Sequence, residues 1–230
     1  MSNNVKIVGI SGVVVGLFCV ACGTAPVNSY YTLENVMPEE ETLPTMPICQ
    51  SVLAVESVFV LPPYDLTKVV FRPDDLEVRY YTHRHWVSSP EEMVRKLIVR
   101  RLDSENLFVN VDNIMFVSEP DLTLYTKVHN LEEIDRDKTW NGRLAMSFTL
   151  RDDLSGRTVW EYHFDETKTV PKKEVKVVIY TINEIYNRQI AKMVNSLKLF
   201  LESYSGCKKK SHEFDRGETE DRSDNQDSGS

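Results

Sequence analysis

Positive charge is in deficit in this sequence: 27 lysines and arginines stand against 35 aspartates and glutamates, a formal net charge of −8 over 230 residues. A protein that neutralises a phosphate backbone needs the opposite balance, so nucleic acid is excluded as a partner. The same deficit gives no overall attraction to anionic lipid, so membrane attachment has to come from a covalent lipid. Glycine is scarce, at nine residues, and none builds a phosphate-cradling loop or a G-x-S-x-G elbow. Histidine is limited to five. His83 and His85 share one strand face and would need a third ligand, such as His163 on a neighbouring strand, to hold a metal. Nothing marks that ligand, so they read as solvated imidazoles. No catalytic constellation, metal site or cofactor is expected, and the chain reads as a non-enzyme.

Long apolar runs are also lacking, with one exception near the start. Lys6 precedes an apolar run from Ile7 to Val20, which leads through Ala21 into Cys22. A short positive segment, an apolar segment and a small-residue exit make a secretory signal. A spanning helix needs ~20 apolar residues, and this run is short for that. The cysteine after the small residues makes the segment resemble a bacterial lipoprotein signal. In such signals the thiol takes diacylglycerol and the chain is cut before the cysteine, here between Ala21 and Cys22. Cys19 stands where leucine is usual.

Cysteine is sparse as well: four in all. Cys19 would leave with the signal and Cys22 would carry lipid. Cys49 and Cys207 remain, and in an oxidising compartment they could pair, tying the two ends of the fold together; two independent thiols are the alternative.

The expected organisation is a signal over 1–21, a lipidated cysteine and tether over 22–47, one domain over 48–205 and a disordered polar tail over 206–230. Proline and acid, with Glu39-Glu40-Glu41 at the centre, keep the tether unpacked. Tyr30-Tyr31-Thr32-Leu33 is a strand-like island within it that would pair with the sheet. Val52 to Leu61 reads as one central strand, and Val69 to Phe71 as a short edge piece. Leu76 to Trp86 reads as a strand with Leu76, Val78, Tyr80, Thr82, Arg84 and Trp86 on one face. Trp86 is expected as a core anchor.

Ser89-Pro90-Glu91-Glu92 then starts a helix, with Ser89 as cap and Glu92 closing a capping box. Met93, Val94, Leu97, Ile98 and Leu102 form its apolar stripe, Arg95, Lys96, Arg100 and Arg101 its wet side, and Asn106 its stop. Leu107 to Val111 is a short strand. Three strands with clean alternation follow, over 122–130, 142–151 and 157–167, the last two joined by a hairpin loop at 152–156. Pro171 to Tyr180 suits strand or helix, and from Asn183 the spacing is helical until Gly206. The expected fold is α+β: a two-layer sandwich with a mostly antiparallel sheet and two helices packed on one face. The polar alternate face carrying Tyr125, Lys127 and His129, and the Tyr30–Tyr31 strand, are the candidate partner-binding sites.

Several elements come in an order that resembles the ABC-type transport auxiliary lipoprotein family, the intermembrane-transport lipoprotein C group associated with MCE-domain lipid transporters. They are Cys22, Tyr30-Tyr31-Thr32-Leu33, Leu61-Pro62-Pro63-Tyr64-Asp65-Leu66, Val69-Val70-Phe71-Arg72, Val78-Arg79-Tyr80-Tyr81 and Arg84-His85-Trp86-Val87. The second half matches only as strand-strand-strand-helix. The chain departs from the family at Cys19, at Val87 where alanine is common, and in its polar tail. The resemblance implies a palmitate-bearing lipoprotein on the periplasmic face of the outer membrane. Its partner would be an MCE-domain periplasmic protein of an ABC-type lipid transporter. Gly23, rather than the aspartate that retains lipoproteins at the inner membrane, favours the outer one. A homo-oligomer is compatible with this. The rival readings are an assembly lipoprotein for an outer-membrane barrel, and a periplasmic hydrolase or lipid carrier.

Overall fold

The structure is a computed structural model that describes residues 26–37, 44–136 and 139–207. The signal, Cys22 and the tail from Lys208 lie outside the described residues. The elements are β1 (Ser29–Tyr31), β2 (Cys49–Val55), β3 (Phe59–Val60), β4 (Lys68–Arg72), β5 (Arg79–Trp86), α1 (Pro90–Ser104), β6 (Phe108–Asn113), β7 (Leu122–Arg136), β8 (Thr139–Asp152), β9 (Arg157–Thr169) and α2 (Val175–Ser203).

Strand β7 is the spine. One edge pairs antiparallel with β8 from Leu122 opposite Asp152 to Arg136 opposite Thr139. The other edge is shared in series by three short parallel strands. Leu53–Val55 of β2 lie against Leu122–Leu124, Phe59–Val60 of β3 against Lys127–Val128, and Val70–Arg72 of β4 against Glu132–Ile134. β6 extends the sheet parallel to β2, β5 antiparallel to β4, β1 parallel to β5 and β9 antiparallel to β8. The class is α+β with two helices, but the sheet is mixed and curls into a half-barrel. The expectation of a mostly antiparallel sandwich is therefore corrected. The reason lies in β2 and β4, whose apolar stretches Leu53–Val55 and Val69–Val70 are buried without alternation, as in strands covered on both faces. The single strand expected over Val52–Leu61 is broken after Val55, so that its two pieces each follow the bending edge of β7.

In α1, Ser89 caps as expected, its Oγ accepting from the Glu92 N–H at 3.2 Å. The Glu92 carboxylate does not close a capping box; it accepts from Lys96 at 2.6 Å, one turn on. Arg101 is not on the wet side. It is buried, donating to the Val36 carbonyl at 2.6 Å and to Glu105 at 2.6 Å. Asn106, at φ 50°, ends the helix in the left-handed region. The ambiguous stretch Pro171–Tyr180 is helix from Val175 on, so α2 runs 29 residues. Its stripe from Val178 through Ile182, Tyr186, Met193 and Leu197 is buried. It lies close on β8: a Cβ at Gly142 would sit 3.0 Å from Ile182 Cγ1 and 3.3 Å from the Val178 carbonyl. The helix ends at Ser203, not at Gly206, which belongs to a 3-10 turn, Ser205–Cys207.

Two further expectations are corrected. The segment after β1 is not an unpacked tether. Leu33 is buried, and Asn35 Nδ2 donates to the Leu97 carbonyl of α1 at 2.8 Å. The N–H groups of Glu34 and Val36 donate to the side-chain oxygens of Asn183 and Asn187 of α2 at 2.8 and 2.6 Å. Residues 32–36 thus form a strap bonded to both helices, which gives its backbone partners and buries Leu33 while Val36 stays exposed. In β5 the expected face does not hold: Leu76 is 98% exposed and Tyr80 is exposed, while Tyr81 packs against the core. Asp74 accepts from the N–H groups of Leu76 and Glu77 at 2.8 and 2.7 Å, a turn that delays the strand to Arg79. Trp86 is a buried core residue.

Candidate functional site

Helix α2 covers one face of β7–β9, and α1 packs on β6, β2 and β3. Trp160, Tyr162 and Phe164 of β9 lie opposite Leu150, Phe148 and Met146 of β8. Two of them bond to α2, Trp160 Nε1 donating to Ser196 at 3.3 Å and the Tyr162 hydroxyl to Gln189 at 3.1 Å. The alternate residues form the other face, on which Tyr125, Lys127 and His129 of β7 come together. Tyr125 lies opposite Thr149 and Lys127 opposite Ser147. The register slips between Val128 and Asn130, so His129 is the extra residue of a bulge and reaches Ser147 Oγ at 2.8 Å through Nε2.

This face is a strip of partly exposed polar and aromatic groups. The Arg151 guanidinium sits 5.0 Å from the centre of the Tyr125 ring, and Lys127 Nζ 5.4 Å from that of Phe59, which is 58% exposed. Beside them is a shallow hollow of about 580 Å³ lined by His129, Ser147, Glu161, His163 and Asp165 among others. Burial, and secondarily the charge of Lys127, hold the His129 pKa below its usual value, so His129 is neutral at pH 7. The hydrogen bond from Arg143 holds the Asp165 carboxyl below the usual carboxylate range. The strip therefore offers fixed cations at Lys127 and Arg151, acidic side chains at Glu161 and Asp165, the exposed ring of Phe59 and the partly exposed ring of Tyr125. Among the described residues there is no group of three or more histidine, cysteine or acidic side chains able to hold a metal.

At one end the strip is closed by a polar knot that the sequence did not announce. After the bulge the faces exchange, so Glu132 points to the side of Arg143, its neighbour on β8. The turn after the cis Pro62–Pro63 bond lays Tyr64 over it. The Tyr64 hydroxyl donates to Glu132 at 2.7 Å, Asn130 Nδ2 donates at 3.1 Å, and Arg72 and Arg143 approach at 3.2 and 3.5 Å. Glu133 points to the helix side, where its only hydrogen bond among the described residues is from the Tyr81 hydroxyl at 2.8 Å. Two adjacent glutamates between Leu131 and Ile134 were the available signal: a strand apolar on both sides of an acidic pair.

Tyr30 and Tyr31 are not part of this strip. They lie on β1, at the end of the strand order, with β5 and β4 between them and β7. Tyr30 stacks on His85 at 5.6 Å, and the Tyr31 carbonyl accepts from the Val87 N–H at 2.8 Å. His83 meets Asn28 at 3.0 Å through Nδ1, so the two strand histidines are spoken for by β1 and its approach. Cys49 and Cys207 form a disulfide, with Cα atoms 4.5 Å apart, that joins β2 to the turn after α2. Cys207 thus belongs to the folded part, and the polar tail cannot begin at 206.

The family model for the ABC-type transport auxiliary lipoprotein component matches residues 31–194. The chain belongs to this family. The match begins at Tyr31, the last residue of β1, so the strap falls within the family's domain rather than before it. Two solved structures share the fold. Protein XCC0632 from Xanthomonas campestris aligns with a TM-score of 0.64 at 15% identity, over 75% of this chain and 96% of its own. An uncharacterised protein aligns with a TM-score of 0.56 at 18% identity, over 75% of this chain and 99% of its own. No curated protein matches the chain by sequence. As an ABC-type transport auxiliary lipoprotein component, the protein is a membrane-anchored member of the cell envelope associated with a transport system.

Proposed function

We propose that this auxiliary lipoprotein is a non-enzymatic periplasmic subunit, anchored to the outer membrane through Cys22, of an MCE/ABC-type system that moves lipid between membranes. Family membership carries the proposal. Acyl chains on Cys22 hold the protein in the bilayer: each buried methylene adds ~0.8 kcal/mol, and two or three chains make release negligible. Gly23 after that cysteine favours the outer membrane. The domain works by docking: the strip of Tyr125, Lys127, His129 and Phe59 engages the MCE-domain protein, and the outer edge of β1 at Tyr30 and Tyr31 is a second point for strand addition. A homo-oligomer would present several such strips together.

Crosslinking in living cells tests this, followed by purification of the tagged protein from membranes and mass spectrometry of what comes with it. Recovery of an MCE-domain protein, with release of Cys22→Ser from the membrane, is the expected result. Recovery of an outer-membrane barrel in its place would overturn the transport role in favour of barrel assembly.

A further inference from the structure

Because β1 and the strap are docked, the chain between Cys22 and the fold is only Gly23, Thr24 and Ala25. Four residues from Cys22 to Pro26 reach at most ~14 Å when fully extended. A lipid on Cys22 therefore holds the end of the fold around Pro26 against the headgroups. That end has the composition of a surface meant for them. Val27 is 79% exposed, Tyr30 62% and Tyr180 59%. Leu76, 98% exposed, tips the β4–β5 turn, which Asp75 ties to Arg136 at the end of β7. Pro26 and Val27 share a hollow of about 450 Å³ with Trp140, Arg84 and Val175. Tyr30 shares the next, of about 380 Å³, with Lys176 and Tyr180.

On the α2 side of that end the charges run against the acidic whole. Lys172, Lys173 and Lys176 lead into α2, and with Arg84 they are four cations against three acids: Glu34, which lines the hollow with Lys176 and Tyr180, and Glu174 and Asp135, which pair with Lys172 and Lys173. On the β4–β5 turn, Asp75 and Glu77 are matched by Arg136 and Arg79, and the third acid, Asp74, accepts from the N–H groups of Leu76 and Glu77. Lys176 Nζ lies 5.5 Å from the Tyr180 ring centre and Lys173 Nζ 5.7 Å from that of Trp140. Aromatic rings with a polar edge, and lysines on long apolar stems, are the side chains that settle at headgroup level.

We propose that this end of the fold, Pro26–Tyr30 with Lys172–Tyr180, is a membrane-contact surface that takes the anionic headgroups of phospholipid beside the anchor. The proposal rests on lipidation of Cys22. It stands β7 away from the bilayer, with Tyr125 ten residues of strand, or about 33 Å, from the membrane end at Asp135. The docking strip then projects into the periplasm.

The test uses the full lipidated protein in vesicles of phosphatidylethanolamine and phosphatidylglycerol, with acyl-brominated phosphatidylcholine as quencher. Tryptophan is placed at Tyr180 (Tyr180→Trp) or, on the docking strip, at Phe59 (Phe59→Trp). Tyr180→Trp loses added emission as the brominated lipid is raised, and Phe59→Trp does not. Lys172→Glu with Lys176→Glu weakens the quenching when phosphatidylglycerol is present. Equal quenching of the two reporters, or none at Tyr180→Trp, overturns the proposal, as does crosslinking at Tyr180 that captures a second copy. Intact mass of the same preparation separates the two readings. Acyl chains on Cys22 with no quenching leave the anchor standing and remove the contact surface. A Cys22 without acyl chains removes both.

Discussion

The Tyr64 hydroxyl donates a 2.7 Å hydrogen bond to Glu132, a carboxylate with no exposed surface. Tyr64 comes from the turn after Pro63, Glu132 from the middle of the longest strand, and Arg72 and Arg143 complete the charge balance from β4 and β8. Burial and the Glu132 carboxylate both push the Tyr64 hydroxyl above its usual pKa, so it stays a donor across the physiological range. Tyr64→Phe keeps the ring and removes the donor, leaving a buried carboxylate one partner short. The expected cost is about 1–3 kcal/mol. It is read as a lower urea midpoint with an unchanged slope; an unchanged midpoint would mean that water or Asn130 takes over the bond.

Glu133 is the adjacent case with the opposite sign. Burial raises its pKa from 4.5 to about 7, and the single hydrogen bond from Tyr81 offsets this only in part. A carboxyl with a raised pKa in the fold binds its proton more tightly there than in the unfolded chain. Stability is therefore greatest below about pH 4.5 as far as this group is concerned, and declines as pH rises toward about 7. The full effect is on the order of 3 kcal/mol. Glu133→Gln is expected to flatten that slope and to raise stability at pH 8, measured by urea unfolding across the pH range. A variant whose profile parallels that of the parent protein would show that Glu133 is already hydrated.

These two glutamates also mark where sequence reading stopped. The alternation in 122–130, 142–151 and 157–167 is a local signal, and it located the β7–β9 meander. Ser89-Pro90 is local too, and it located α1. The helical start of α2 was obscured by Val175, Val177, Val178 and Ile179, whose branched side chains suit both states. The series of β2, β3 and β4 along β7 depends on parallel pairing across some sixty to seventy residues, and nothing local encodes it. The bulge at His129 exchanges the faces of everything after it, so Glu132 and Glu133 could not be assigned a side. Of the candidate site, Tyr125, Lys127 and His129 were legible from alternation alone. Phe59 was not, because it was read as part of an unbroken central strand.

The Cys49–Cys207 bridge closes a sequence separation of 158 residues, nearly the whole domain. A loop of that length restricts the unfolded chain strongly, and loss of a native disulfide typically costs about 2–5 kcal/mol. Cys49→Ala and Cys207→Ala are each expected to lower the melting temperature, and their double variant to fall no further than either alone. Reductant should bring the parent protein down toward the variants and leave the variants unmoved. Additive losses from the two substitutions would indicate that packing of the buried side chains, rather than the bridge, sets the effect.

Lys127 tests the docking strip without touching the core. Its ammonium lies over the exposed Phe59 ring, a contact worth roughly 0.5–1 kcal/mol at such a site, so Lys127→Glu should change stability little. Charge reversal at the centre of the strip is different in kind, because it turns a cation into an acid on the face that already carries Glu161 and Asp165 and alters every approach to it. Like charges brought together across an interface cost several kcal/mol, while exposed single charges matter little to a free surface. Lys127→Glu is therefore expected to cut recovery of the MCE-domain partner in crosslinking and pull-down at unchanged melting temperature and unchanged membrane anchoring. Val109→Glu, on the exposed edge strand β6 away from the strip, should leave recovery intact. If Lys127→Glu leaves partner recovery intact as well, the strip is not the interface, and the outer edge of β1 at Tyr30 and Tyr31 becomes the surface to substitute.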